Sequence, residues 1–362
     1  MQLTVKHARQ QGFTVVEVLI SLLLGLLIIG AVIAIFLGSK QSYLIHESLS
    51  RIQENGRYAL STLGRDIRLA GHLGEIQEYW EITESTSGST RLPAVGGECF
   101  TAPYRWVAPF ITDVDHDGSN ATLSVFAPKI SGSNNGLGAF AACIPAQNYV
   151  VNTDVVSVHY VGPNNVADGF RVPNQIYLRA DLNHGVLYKC NSAGGTCLPD
   201  GGGSWDVETD FHYPLHAMVY YIRPCREPGG DNLCGTSDDG DQPNIPSLVR
   251  TRLQADATLI TEVVADGVEN MQIQFGVDNN NIGYVTQYRD ANDIGNPTAT
   301  SSWLAWNRVR SARVWLLARA IEPEGGYADS KTYSMGDVSV APGDHYRRQI
   351  FSTTAAVRNY SE

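Results

Sequence analysis

The N-terminal end of this sequence lacks the residues that interrupt a helix. No proline occurs before Pro93 and no cysteine before Cys99, and the twenty residues from Val18 to Leu37 include no charged side chain. Because proline removes a backbone donor and breaks helices, its absence allows one long helix. An uncharged run of this length excludes an ordinary surface helix, since it is long enough to cross a bilayer of about 30 Å.

Clustered positive charge and catalytic motifs are also missing. The net charge is −11, which argues against a nucleic-acid-binding surface, because such surfaces concentrate Lys and Arg. The sequence has no H-E-x-x-H, no G-x-S-x-G and no phosphate-binding glycine–lysine loop. We therefore expect no enzyme activity and no contact of this subunit with nucleic acid.

Cysteine usage indicates an oxidising compartment. The six cysteines are Cys99, Cys143, Cys190, Cys197, Cys225 and Cys234. The pairs 190/197 and 225/234 are close in sequence within glycine-rich stretches, which disulfides can close. Zinc is the alternative, but C-x2-C spacing is absent. The pairing 99/143 follows only by elimination.

Helical periodicity continues beyond the apolar run. Apolar residues recur at intervals of three, four or seven, as one helix face requires: Ile45, Leu49, Ile52, Ala59, Leu63, Ile67 and Ala70. We predict one helix over 14–70 within a helical region 13–74, with a transmembrane part at about 15–37. Lys6 and Arg9 precede the run, so the positive-inside rule predicts a cytoplasmic N-terminus and export of the rest.

The remaining chain, 75–362, alternates short apolar-polar segments with Gly, Pro, Asn and Asp, a pattern typical of antiparallel β structure. The sequence thus predicts an α+β fold with a large β-rich head, which could divide into two subdomains near residue 215. The predicted strands are 121–127, 155–161, 175–180, 217–222, 271–277, 284–288, 310–319 and 349–357.

Glu17 lies at the start of the apolar run, where a carboxylate is costly and suggests a function. A Glu at the membrane interface is the simpler alternative. The segment Gly12-Phe13-Thr14-Val15-Val16-Glu17, with its basic leader and apolar continuation, resembles the class III signal of type IV pilins and pseudopilins. The resemblance implies that a prepilin peptidase removes the leader 1–12 after Gly12 and methylates Phe13. It also implies that Glu17 interacts with the N-terminal amine of a neighbouring subunit.

Three further segments are similar to PilW-type minor pilins: 63–71 (LGRDIRLAG), 263–275 (VVADGVENMQIQF) and 346–354 (YRRQIFSTT). The middle of the head, 76–215, adds nothing to this resemblance. The resemblance implies a minor pilin in the inner membrane with a periplasmic head, and later at the pilus tip. Implied partners are other minor pilins, the major pilin, a tip adhesin, the prepilin peptidase and the inner-membrane assembly platform. The implied role is a priming complex that supports pilus assembly, adhesion and twitching motility.

Two alternatives stay open. A pseudopilin of a type II secretion system would share the leader and Glu17. A membrane-tethered binding module would need a ligand site, for which Trp303, Trp306 and Trp315 are candidates by aromatic stacking, although buried aromatics explain them as well.

Two acidic segments complete the candidate residues. Asp113, Asp115 and Asp117 alternate before Gly118, as in calcium loops, and calcium is the one cofactor that the sequence suggests. The twelfth position is Ser124 rather than Glu and the flanking residues read as strands, so a solvated Asp-rich turn is the favoured alternative. Asp66 lies between Arg65 and Arg68, and we expect it in an ion pair on the helix surface.

Overall fold

The structure is a computed structural model that describes residues 12–74, 76, 82–84, 110–112, 122–124, 128–167, 169–180, 185–190, 197, 211–240, 244–255, 258–297 and 300–358. Helix α1 runs from Val15 to Leu69, which confirms the predicted helix to within one residue at each end. Its buried positions recur every three or four residues, as expected of a helix with one face against a core. They are Ile52, Gly56, Ala59, Leu63, Gly64, Asp66 and Ile67.

The head contains strands and two short helices in the part of the chain that the structure describes. The strands are β1 (Ile82–Glu84), β2 (Phe110–Thr112), β3 (Thr122–Ser124), β4 (Ile130–Ser133), β5 (Val155–Val161), β6 (Ile176–Ala180), β7 (Gly185–Lys189), β8 (Phe211–Arg223), β9 (Ser247–Leu253), β10 (Leu259–Asp266), β11 (Val268–Val277), β12 (Gln287–Arg289), β13 (Val309–Arg319), β14 (Tyr333–Met335), β15 (Val338–Val340) and β16 (Arg348–Ala356). The short helices are α2 (Ala291–Ile294) and α3 (Thr300–Asn307).

These strands form two main sheets. The large sheet has the order β1-β7-β6-β8-β5-β4, and β9 and β10 extend it from β8. The small sheet has the order β12-β11-β13-β16. Only the β1–β7 pair is parallel among the described strands, so the predicted antiparallel, β-rich head is confirmed. The hairpins β2–β3 and β14–β15 pair separately.

Two apolar cores cover opposite faces of the large sheet, because successive strand residues point to opposite sides. In β5, Val155 and Val161 point to one core, whereas Val156, Val158 and Tyr160 point to the other. The second core also receives the buried face of α1 and one face of the small sheet. The second half of helix α1, from Ile52 onwards, is therefore part of the core of the head.

Gly56 marks the closest approach of α1 to the small sheet. A Cβ atom at this position would lie 2.3 Å from the ring of Phe351 in β16, a distance at which the two groups overlap. Further along the helix, a Cβ at Gly64 would lie 4.0 Å from Thr353. Helix α1 and strand β16 therefore run in the same direction.

Several strand predictions were accurate and others were wrong. Strand β5 matches its prediction at both ends, and β13 and β16 agree to within one residue. The predicted strand 284–288 was wrong for most of its length, since β12 comprises only 287–289. Strands β9 and β10 were missed. Leu215, near the suggested division, lies inside β8, and residues 51–362 form one compact unit.

Candidate functional site

The N-terminus of helix α1 is closed by a capping box between Thr14 and Glu17. The Glu17 carboxylate oxygen Oε2 accepts hydrogen bonds from the backbone N–H and the hydroxyl of Thr14, both at 2.9 Å. The backbone N–H of Glu17 in turn donates to Oγ1 of Thr14 at 3.3 Å. This reciprocal pattern satisfies donors that a helix start leaves unpaired. Its signal in the sequence is Thr-x-x-Glu, a pattern absent from the predictions above.

Only one oxygen of the Glu17 carboxylate takes part in the capping box. Both bonds from Thr14 end on Oε2, and Oε1 has no hydrogen-bond partner within the described ranges. Glu17 is exposed on the helix surface. The arrangement thus fixes the side chain through one oxygen and leaves the other to accept a bond from outside the chain.

The first half of α1 exposes its apolar side chains on all sides. Phe13 is 87% exposed, and large apolar residues from Val15 to Leu37 are exposed as well. By length and composition, helix α1 is long and apolar enough to cross a membrane. An apolar surface of this kind is stable in lipid or against other apolar helices, and it is costly in water.

The second half of α1 carries a different carboxylate, that of Asp66, which is 0% exposed. Its Oδ2 accepts a bond from Arg250 Nη1 at 3.2 Å and another from the hydroxyl of Tyr220. Its Oδ1 accepts a bond from the Tyr160 hydroxyl at 3.3 Å. These partners lie on β5, β8 and β9, so one carboxylate joins α1 to three strands of the large sheet.

Electrostatics shift the pKa values of the tyrosines and of Arg250 and Glu262 in this network. Burial and the charge of Asp66 raise the pKa of Tyr160 and of Tyr220, so both hydroxyls remain donors. Burial opposes the charge of Arg250, but its interactions with Tyr220 and Glu262 outweigh burial and raise the Arg250 pKa. Burial also opposes ionisation of Glu262, yet bonds from Arg250 and Arg252 lower its pKa.

The surface ion pair predicted for Asp66 was therefore wrong. Arg65 does contact Asp66, with Nε 3.3 Å from Oδ1, but the carboxylate is buried and its other partners come from the sheet. The error arose because the sequence shows only the neighbouring arginines. Tyr160, Tyr220 and Arg250 are far away in the chain, and no local pattern indicates that they meet Asp66.

The disulfide prediction is confirmed for two bridges. Cys190 is bonded to Cys197, and Cys225 is bonded to Cys234. The second bridge closes a loop that is also held by Asn148, whose Oδ1 accepts the Cys234 N–H at 2.8 Å. Cys143 is disulfide-bonded as well, while Cys99 lies outside the described residues.

The candidate ligand sites receive little support from the part of the chain that is described. Asp113, Asp115 and Asp117 lie outside it, and no group of metal-ligating side chains occurs within it. Trp306 is buried in α3, packs edge-on against Phe275 and donates to the Gly295 carbonyl at 2.9 Å. Trp315 is partly buried on β13, and the side chain of Trp303 is not described.

Comparison with known families agrees with this geometry. Residues 7–33 match the family described as Prokaryotic N-terminal methylation motif, a range that includes Gly12, Phe13 and Glu17. With the long apolar helix and the β-rich head, this match supports the resemblance to prokaryotic pilins.

A second match is more specific. Residues 233–359 match the family Type IV Pilus-assembly protein W, and this range contains Arg250 and the whole small sheet. The resemblance of the chain to PilW-type proteins is confirmed over this region. No curated protein and no solved structure matches the chain.

Proposed function

We propose that this protein is a minor pilin that primes pilus assembly as part of a complex with other minor pilins at the filament tip. It waits in the inner membrane with its N-terminus in the cytoplasm and its head in the periplasm. There it contacts the prepilin peptidase and the assembly platform. In the filament it contacts other minor pilins, the major pilin and a tip adhesin, and so supports adhesion and twitching motility.

The observation that supports this proposal is the exposed Glu17 carboxylate, which Thr14 holds through Oε2. Cleavage after Gly12 would create a charged amine at Phe13, and a charged amine in an apolar environment requires a partner. The carboxylate of Glu17 in a neighbouring subunit can supply that partner through Oε1, while Thr14 holds Oε2. The capping box thus orients the carboxylate before assembly, which reduces the entropy lost when the ion pair forms.

The network around Asp66 gives the second part of the mechanism. A filament built from packed helices must transmit the position of each helix to its head. Asp66, Tyr160, Tyr220 and Arg250 join the second half of α1 to the large sheet, so this half of the helix and the sheet move together. The membrane then serves as a reservoir of subunits that leave it by packing helix against helix.

A pseudopilin of a type II secretion system would share the leader and Glu17. The C-terminal region of this chain, however, matches the family Type IV Pilus-assembly protein W. This match favours the pilus.

A deletion strain, scored for surface pili with and without retraction, tests the priming role. We expect few pili when retraction is active and a partial recovery when it is blocked, because initiation is slowed. Normal pilus number in the deletion strain would contradict a priming role. In the same strain, a Gly12→Leu chain should remain full size on an immunoblot, and normal processing of that variant would contradict cleavage after Gly12.

A further inference from the structure

Strand β16 is an edge strand of the small sheet, and one of its two sides is open. In the described part of the chain it pairs only with β13, and the register of this pair has no bulge. Just beyond the end of the strand, the Val357 N–H donates to the Arg310 carbonyl, so the odd-numbered residues of β16 bond β13. The even-numbered residues from 350 onwards therefore point their N–H and C=O groups away from the sheet. They are Ile350, Ser352, Thr354 and Ala356.

These outward backbone groups have no hydrogen-bond partner among the residues that the structure describes. Ser352, Thr354 and Ala356 are exposed, so solvent reaches this part of the strand. The free groups recur at every second residue, about 6.8 Å along the strand. Another extended backbone offers donors and acceptors with this spacing. The chemistry of the open side therefore selects an added β-strand.

Strand β16 also lacks the features that protect edge strands from pairing. Proteins protect long edges with charged side chains, proline or a bulge. From Gln349 to Val357 the sequence QIFSTTAAV contains no charged residue and no proline. Strand β10, the edge strand that pairs with β9, carries Glu262 and has a register shift between Val263 and Ala265. Of these two long edges of the head, β10 is protected and β16 is open.

Two arginines without an ion-pair partner lie near the C-terminal end of β16. A Cβ atom at Gly64 would lie 3.8 Å from Nη2 of Arg68 and 4.0 Å from Cγ2 of Thr353, so the Arg68 side chain is on the side of α1 next to this strand. Arg358 follows two residues after β16 ends. Both arginines are exposed, and neither is paired among the described residues. A strand added here meets positive charge at this end, which an acidic side chain would balance.

The N-terminal end of β16 is already neutralised, since Arg348 pairs with Glu269, Asp329 and Asp344. A strand added antiparallel, as β13 is, places its first residues at the C-terminal end of β16. Its acidic residue should therefore precede an uncharged run that matches the open side, 350–356. A second copy of β16 fits less well, because the acids near its start are already bonded to its own arginines.

We propose that the open side of β16 binds an extended strand of another protein, antiparallel to β16, in which an acidic residue precedes an uncharged run. Backbone hydrogen bonds to the outward groups supply the affinity. The acid, placed at Arg68 and Arg358, fixes the direction and the register of the added strand. Binding at this edge uses the head and does not depend on the proposed role in priming.

The test is amide hydrogen exchange of the full chain in detergent, read by mass spectrometry over the segment 348–358. The probe is a synthetic peptide in which two glutamates precede a run of alternating threonine and valine, added in excess. We expect the fast-exchanging amides of this segment to exchange at least about five-fold more slowly with the peptide. One control peptide carries N-methyl groups throughout the run, which removes its donors and keeps its charge. A second control peptide has two lysines in place of the glutamates. Both should protect the segment less.

A variant of the chain tests the same edge from the other side. Ser352→Pro removes one outward N–H and leaves the bonds to β13 in place, since proline fits an edge position whose N–H faces solvent. We expect it to lose most of the protection, whereas Ser352→Ala keeps the N–H and should behave like the wild type. Protease resistance shows that each variant has folded, and the peptide comparison on the wild-type chain does not depend on either variant.

Three results would overturn the proposal. The first is unchanged exchange of 348–358 with the glutamate peptide, and the second is equal protection by either control peptide. The third is protection that grows with protein concentration in the absence of peptide, because a second copy would then occupy the edge.

Discussion

The two carboxylates of helix α1 are in opposite situations. Glu17 is exposed, and its carboxylate bonds the neighbouring Thr14. The backbone carbonyl of Glu17 accepts a bond from the Ser21 hydroxyl. Asp66 is buried and contacts three strands of its own head. The difference shows that one helix uses its acids in two ways. The second half uses an acid to fix the helix within one subunit, whereas the acid of the first half is exposed, as our proposal of a contact between subunits requires.

Removing Asp66 should produce the largest change in stability. Asp66→Ala leaves two tyrosine hydroxyls without their acceptor and leaves Arg250 with Glu262 as its carboxylate partner, so we expect a loss of about 2–5 kcal/mol in the free energy of unfolding. Urea unfolding of the full chain in detergent measures this loss. The control is Arg65→Ala, since the Arg65 side chain is 66% exposed and surface pairs contribute less than about 1 kcal/mol. Equal losses in the two variants would contradict a buried anchor.

A third carboxylate, that of Asp154, should make the stability of the head depend on pH. Asp154 is buried and accepts the N–H of Asn135 at 2.8 Å and that of Ile273 at 2.6 Å. Its arrangement differs from that of Asp66, which pairs with Arg250. Burial, together with the charges of Asp337 and Asp290, raises the pKa of Asp154 to about 7.

A raised pKa means that the folded protein binds this proton more tightly than the unfolded chain. The contribution of Asp154 to the free energy of unfolding is therefore fully present below the unfolded pKa of about 4, and it is lost as the pH rises to about 7. This contribution is at most about 4 kcal/mol. The free energy of unfolding should differ less between pH 5 and pH 8 in Asp154→Asn than in the wild type. If the two proteins show the same change with pH, other groups cause the pH dependence.

The two halves of α1 should also respond differently to the same glycine substitution. Gly56→Ala places a methyl group against Phe351, and overpacking of this kind costs about 1–3 kcal/mol. A Cβ atom at Gly30 would meet no other atom within 4 Å, so Gly30→Ala should leave the unfolding of the head unchanged. Circular dichroism during urea titration measures both. A similar loss for both variants would argue that α1 is in the same environment throughout.

The smallest expected effect concerns the capping box. Thr14→Val removes the hydroxyl that accepts the Glu17 N–H, and loss of a helix cap costs about 1 kcal/mol. Amide hydrogen exchange at Glu17, measured in micelles, should become about five-fold faster. Thr14→Ser keeps the hydroxyl and should exchange like the wild type. Equally fast exchange in both variants would mean that the methyl group, and not the hydrogen bond, holds the first turn.

The helix was predictable because its signals are local. Absence of proline and periodic apolar residues fixed α1 to within one residue, and alternation located β5 and β13. Strand β9 was not predicted, although its residues alternate between two faces. The charges of Arg250 and Arg252 suggested that this segment lies on the protein surface. In the structure, these arginines pair with Glu262, and Arg250 also pairs with Asp66.

The contacts of Asp66 could not be predicted, since they depend on how distant strands pack against the helix. The capping box, in contrast, was visible as Thr-x-x-Glu. Cleavage after Gly12 and methylation of Phe13 remain predictions. Calcium binding by the loop 113–117 also remains a prediction.

The most direct test of the role of Glu17 is incorporation of Glu17→Val into sheared surface pili, measured beside its unfolding in detergent. We predict unchanged unfolding of the head and normal membrane insertion, with at least a ten-fold loss of the chain from pili. Normal incorporation of Glu17→Val would contradict the claim that this carboxylate acts between subunits.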